Sequence, residues 1–321
     1  MFEQMLSARV LLFVLAATSW QVACAQAFPS KPIRVITTEI GSGNDFVGRL
    51  MAPLLTQHLG QQVIVDNRGG AVISGRLAAE AQADGHTLIL YGSPLWLLPF
   101  MQDDVPYDPL RDFAPIALTH RSPNLLVVHP AVPVNSVKEL IALAKAKPGE
   151  LNYGSGTSGS STQLAAELFK AMAGVNIVRV PYKGTGPALS ALLGGQVRVM
   201  FPNAPAATPQ VKAGRLRALA VTSVEPSPLV PGVPTVAASG LAGYESVSPF
   251  GMLAPAKTPA SIVRRLNQEI TLVLSSSEIR DKLLAAGTEP GGGTPEQFAA
   301  IIKSEMTRLG KLIRDVGIRE K

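Results

Sequence analysis

The stretch LNYGSGTSGSSTQLAAELFKAMAG, residues 151–174, decides how the rest of the chain is read. A strand-like run ends at Ser155. Gly156 to Thr162 are all glycine, serine or threonine, and a helix then carries Leu164, Ala165, Leu168, Phe169 and Met172 on one face. A small-residue loop entering a helix leaves backbone N–H groups unpaired, and the positive end of the helix dipole adds to them, so the loop is a candidate anion site. Ser155, Thr157, Ser158, Ser160, Ser161 and Thr162 add neutral hydroxyl donors. The composition fits a flexible linker with an N-cap equally well. A second such turn, Gly41-Ser42-Gly43-Asn44 after the strand IRVIT (33–37), favours the ligand loop.

Outward from these turns, strand-like and helix-like segments alternate from Lys31 onward, which predicts an α/β architecture with mostly parallel sheets. QVIVDN (62–67) and HTLILY (86–91) read as strands of a first unit, and NIVRVPY (176–182), VRVMF (197–201) and LRALAVT (216–222) as strands of a second. APIALT (114–119) and NLLVVH (124–129) stand close together as a crossing, and SPFGMLA (248–254) reads as the strand that returns. Three helices close the chain, the last begun by the Thr294 cap. The expected organisation is a discontinuous first lobe, 28–122 plus 248–321, and a second lobe, 123–247, with a ligand at strand C-termini between them.

The chain has 321 residues, 46% hydrophobic and 16% charged, with a formal charge of +6. Its Lys and Arg are scattered and only 5% of residues are aromatic, so nucleic acid is not an expected partner. Residues 1–27 read as a secretory signal peptide: Arg9 precedes the short apolar run Val10–Ala17, and small-x-small cleavage sites follow. Cys24, the only cysteine, lies in that segment, where Gln21 and Val22 make a poor lipid-attachment context. The mature chain therefore has no disulfide and no thiol chemistry.

Enzymatic readings fit less well. Gly154, Gly156 and Gly159 spell a dinucleotide fingerprint, yet NIVRVPY lacks the acid that would hold a ribose. Ser160-Ser161 stands where a phosphate-binding P-loop needs lysine, and Gly156-Thr-Ser158-Gly-Ser160 breaks the hydrolase elbow. His58, His86, His120 and His129 have no metal-ligand spacing and read as surface or core residues. Asp45 reads as support for a helix start, Trp96 as core or cleft wall, and Lys183 as a solvated lysine or an anion contact.

In order along the chain come Phe28-Pro-Ser-Lys-Pro-Ile33, Asp66-Asn-Arg68, Pro106-Tyr-Asp108, Leu151-Asn-Tyr-Gly-Ser155, Val180-Pro-Tyr-Lys-Gly184, Leu193-Gly-Gly195, Leu216–Thr222 and Val233-Pro-Thr-Val236. With these motifs the mature chain resembles the extracytoplasmic solute receptors of tripartite tricarboxylate transporters, the Bug or TctC family. The resemblance implies a two-lobed, periplasmic-binding-protein-like Venus flytrap of type II, without enzymatic activity or cofactor. It implies a small organic anion, often a carboxylate, delivered to membrane permease subunits by a periplasmic monomer. Ligand contacts carried onto this chain are Gly41, Ser42, Gly43, Asn44 and Ser93 in the first lobe. In the second they are Ser155, Thr157, Ser160, Ser161, Lys183, Gly184, Thr185 and Asn203. Two departures weigh against an amino-acid ligand: Glu39 enters the first turn, and Phe201-Pro-Asn203 lacks the family's acid. The remaining alternative is an exported α/β enzyme or a dinucleotide-binding oxidoreductase built on the 154–161 loop.

Overall fold

The structure, a computed structural model, describes residues 28–38 and 40–319. The expected signal peptide, Cys24 and Glu39 lie outside the described residues. The chain runs β1 (Ile33–Thr37), α1 (Gly43–Leu59), β2 (Val63–Asn67), α2 (Ala71–Ala79), β3 (Thr87–Gly92), α3 (Ser93–Leu97) and β4 (Phe113–Pro123). It continues through β5 (Leu125–Val128), α4 (Val137–Ala146), β6 (Asn152–Ser155), α5 (Ser161–Ala173), β7 (Val178–Pro181), α6 (Thr185–Leu193), β8 (Val199–Met200), α7 (Ala204–Lys212) and β9 (Arg217–Val221). β10 (Val247–Pro255), α8 (Ala260–Ser275), α9 (Ser277–Ala285), β11 (Glu289–Gly292) and α10 (Pro295–Val316) complete it.

Two sheets form. The first has the order β11-β4-β10-β3-β1-β2 and the second β7-β6-β8-β5-β9. The α/β class expected from the alternation is found, but the sheets are mixed rather than mostly parallel. β1 pairs in parallel with β2 and β3, and β6 with β7 and β8. β10 is antiparallel to both β3 and β4, and β5 to both β8 and β9. The reason is the path of the chain. β4 leads out of the first sheet and β10 leads back, so two neighbouring strands with opposite travel must pair antiparallel.

Side-chain alternation sorts the core. Along β1 and β3, Ile33, Val35, Leu88 and Leu90 point to one face and meet Val47, Met51 and Leu55 of α1 and Leu266 and Ile270 of α8. Ile36, Ile89 and Tyr91 point to the other face, with Trp96 of α3 and Phe298 and Ile302 of α10. In β5 the same period divides Leu126 and Val128 from Leu125 and Val127. The cluster holding Ile36 and Trp96 continues through Leu126, Tyr153, Leu164 and Phe169, so apolar packing is unbroken between the two sheets. Met172, expected on the apolar face of α5, is exposed.

Helix ends follow their capping residues. Ser42 Oγ accepts from Asp45 N and starts α1, Gly60 ends it in the left-handed region, and Thr294 with Gln297 forms a complete capping box for α10. Three elements escape sequence patterning: α3, α7 and β11. The last is Glu289-Pro-Gly-Gly, poor strand material that is ordered as an edge on β4.

Candidate functional site

β1 and β3 end beside each other, and α1 and α3 begin there. Around these ends lies a cavity of about 420 Å³, lined by Ser42, Gly43 and Asn44 from the start of α1 and by Asn203 and Pro205 from the end of β8 and the start of α7. Its wall is His120 stacked flat on Phe250, ring centroids 4.6 Å apart and planes 7° from parallel. Gly92 has to be glycine here, because a Cβ would stand 2.3 Å from the Phe250 ring. A narrower cavity of about 140 Å³ shares Pro94 and Phe250 with the first, and is lined by Ser93 opposite Gly159, Ser160 and Ser161 at the start of α5. The two cavities form one cleft with a wide and a narrow end.

The wide end holds unsatisfied polar atoms. Asn44 is buried, and its Oδ1 has no partner among the described residues; neither do Asn203 Oδ1 and Ser122 Oγ, which line the same cavity. A buried polar atom without a partner costs about 1–3 kcal/mol. The Ser42 hydroxyl is already engaged by Asp45 N at 3.2 Å and by Thr38 Oγ1 at 2.5 Å. Asp45 holds the loop: its carboxylate accepts from Gly41 N, Arg49 Nε and Asn67 Nδ2. Burial pushes that carboxyl up, and the bonds from Gly41, Asn67 and Arg49 overcome it and hold the group below the usual range. This is the helix-start support read from its position.

His120 lies 3% exposed, and burial alone pushes its imidazole down to about 3. It is neutral. The Thr119 hydroxyl donates to Phe250 O at 3.1 Å and can then accept from His120 Nδ1 at 3.0 Å, which leaves Nε2 an acceptor.

At the narrow end Ser93 Oγ donates to the Glu305 carboxylate, 2.9 Å from each oxygen, and Trp96 Nε1 donates to Oε2 at 2.6 Å. Glu305 itself lines the narrow cavity. Trp96 is therefore core, tied to the site only through its N–H. The loop opposite is braced from inside: Gly156 N donates to Thr162 Oγ1, Gly159 N to Gln163 Oε1, and the Ser160 hydroxyl bonds Thr162 Oγ1 at 3.0 Å. Gly159, at φ +74°, faces the Met101 sulfur, which a Cβ would meet at 2.4 Å.

Of the residues expected as ligand contacts, Ser42, Gly43, Asn44 and Asn203 gather at the wide end, and Ser93, Ser160 and Ser161 at the narrow end. The first loop shares the wide end with Asn203, and Ser160 and Ser161 lie at the narrow end. Gly41, Ser155, Thr157, Lys183, Gly184 and Thr185 lie outside both linings. Ser155 is fully buried, its hydroxyl donating to Gly156 O and accepting from Arg179 Nε at 2.8 Å. Thr157 and Lys183 are exposed. His120, Ser122, Phe250 and Glu305 were not among the expected contacts.

A family model described as "Tripartite tricarboxylate transporter family receptor" matches residues 47–318. Protein BugT of Bordetella pertussis is 35% identical over 97% of this chain and 97% of its own length. A solved structure of R. palustris Rpa4515 with adipate is 38% identical at a TM-score of 0.75, covering 91% of this chain and 99% of that one. A structure described as a periplasmic transporter is 35% identical at 0.74, over 91% and 99%. MatC of Rhodopseudomonas palustris with bound malate is 29% identical at 0.71, over 89% and 100%.

Proposed function

The chain belongs to the tripartite tricarboxylate transporter receptor family, and on that premise we propose that it captures a small organic anion, a carboxylate, in the cleft between two lobes. The lobes are 28–122 plus 248–321 and 123–247, and the cargo passes to the permease subunits of a tripartite transporter. The protein acts as a periplasmic monomer, exported by its first 27 residues and not anchored through Cys24, and it performs no reaction on its cargo. Adipate and malate in the related structures support a carboxylate as the ligand class.

One observation carries the reading. Asn44 and Asn203, one from each lobe, both line a single cavity that also receives the start of α1, and the amide oxygen of each is without a partner among the described residues. Gly43 and Asn44 occupy the first turn of that helix, where N–H groups lack intrahelical acceptors and the dipole favours an anion. Ser161 and Thr162 offer the same at α5. The arrangement uses neutral donors for the carboxylate and leaves acceptors for its water or hydroxyl groups.

A thermal-shift and calorimetry series on the mature chain tests this, with adipate, malate and nicotinamide dinucleotides as probes. A carboxylate that binds raises the melting temperature by mass action, and Asn44→Ala weakens the effect. A shift with dinucleotides alone would return the function to the enzyme alternative.

A further inference from the structure

The carboxylate reading leaves one buried group at the cleft unused. Glu305 sits on the apolar stripe of α10, with Phe298, Ile302, Leu309 and Ile313, and is 4% exposed. It opens onto the narrow cavity directly opposite no cation: α5 and the turn before it contribute Gly159, Ser160, Ser161 and Leu164, and α3 with Ser93 adds only neutral groups. The charged groups near it are on its other side. Arg308, one turn further along α10, donates to Glu245 O and stands 3.6 Å from the Glu245 carboxylate. Glu305 also lines a second crevice of about 330 Å³, together with Arg121, Glu245 and Arg308.

We propose that Glu305 is a specificity-determining residue for the second carboxylate of a dicarboxylate ligand: that carboxylate, seated on the start of α5, is bound together with a proton that it shares with Glu305. This rests on the carboxylate reading of the cleft. Two ionised carboxylates cannot lie side by side in a dry pocket, so one of the pair must hold a proton. Glu305 is suited to be that one. Burial pushes it up to about 7, against the opposing pull of Trp96, Ser93 and Arg308, with Glu245 adding slightly to the rise. A ligand carboxylate beside it pushes it higher still, so binding above pH 7 takes a proton from solution.

The consequence has a definite sign. Below about pH 7 the free protein already carries the proton and affinity for a dicarboxylate is full. Above it, affinity falls by up to about tenfold per pH unit, until the proton-linked form no longer dominates. The carboxylates of adipate and malate remain ionised across this range, so the slope belongs to the protein.

Isothermal calorimetry with adipate, and malate as a shorter probe, at pH 6 and pH 8.5 in buffers of different ionisation heat measures the proton directly. Wild type is expected to take up close to one proton per ligand at pH 8.5 and far less at pH 6. Glu305→Gln keeps an acceptor for Trp96 and should bind with no uptake and no pH slope. Where that variant fails to fold, Ser93→Ala serves instead: loss of a stabilising donor moves the midpoint of uptake to higher pH. Binding of adipate or malate by wild type with pH-independent affinity and no uptake would overturn the proposal while leaving the carboxylate site standing. Binding of neither at either pH overturns both.

Discussion

The two ends of the cleft bury titratable groups of opposite sense. At the wide end His120 is held neutral by burial, beside unpaired amides and the start of α1. At the narrow end Glu305 is pushed toward its protonated form, beside the start of α5. Both ends thus remove a charge of their own before presenting a helix N-terminus to an anion. The difference lies in which solution condition restores the charge: acid at the wide end, base at the narrow one.

The largest expected effect breaks the wide end. His120 stabilises the fold fully above its unfolded value near 6.5, and that contribution is withdrawn as the pH falls toward 3. The swing amounts to roughly 5 kcal/mol if the fold persists that far. His120→Gln should flatten the acid side of a denaturant-midpoint profile, and an unchanged acid slope would contradict the assignment. Glu305 has the opposite sign. Its contribution is complete below 4.5 and withdrawn as the pH climbs to about 7, a loss of roughly 3 kcal/mol. Glu305→Gln should therefore gain stability relative to wild type between pH 4.5 and 8. Between 4.5 and 6.5 the two slopes oppose, and only the single variants reveal them.

Next in size is Asn44→Asp. A carboxylate suits the start of α1, so the fold should survive, but it faces the bound anion and should lower affinity by about a hundredfold or more. Retained affinity in calorimetry would move the anion away from α1.

Smaller effects separate composition from geometry in the second loop. Ser161→Ala should weaken binding by about 0.5–1.5 kcal/mol. Ser155→Ala should leave affinity unchanged and instead lower the melting temperature, because its hydroxyl bonds Arg179. Smallest of all, Lys183→Ala should alter affinity by less than about twofold and change mainly its salt dependence.

Much of the fold was legible because it rests on periodicity. Ile33, Val35, Leu88 and Leu90 announce strands, and Phe298, Ile302, Leu309 and Ile313 announce a helix. Strand direction was not legible, since no local pattern tells β4 that β10 will return beside it. The site divided in the same way. Gly41–Asn44 and Ser160–Ser161 were readable as strand-to-helix turns, whereas the internal use of Ser155 was not: a hydroxyl in a glycine loop looks free until Arg179 arrives from the next strand. Glu305 did leave a mark, an acid at a core position of an amphipathic helix. His120 left none, since an apolar strand context fits a core imidazole as well as a cavity wall.

β4 and β10 pair antiparallel from Phe113–Pro255 to Pro123–Val247, with irregularities between Phe250 and Gly251 and between Met252 and Leu253. These are the two strands that join one sheet to the other, and His120 and Phe250, one on each, form the cavity wall. The cargo would thus rest on the fulcrum itself. Were the two lobes to close on their cargo, no relay would be needed: a displaced His120–Phe250 stack would itself displace the ribbon that joins the two sheets.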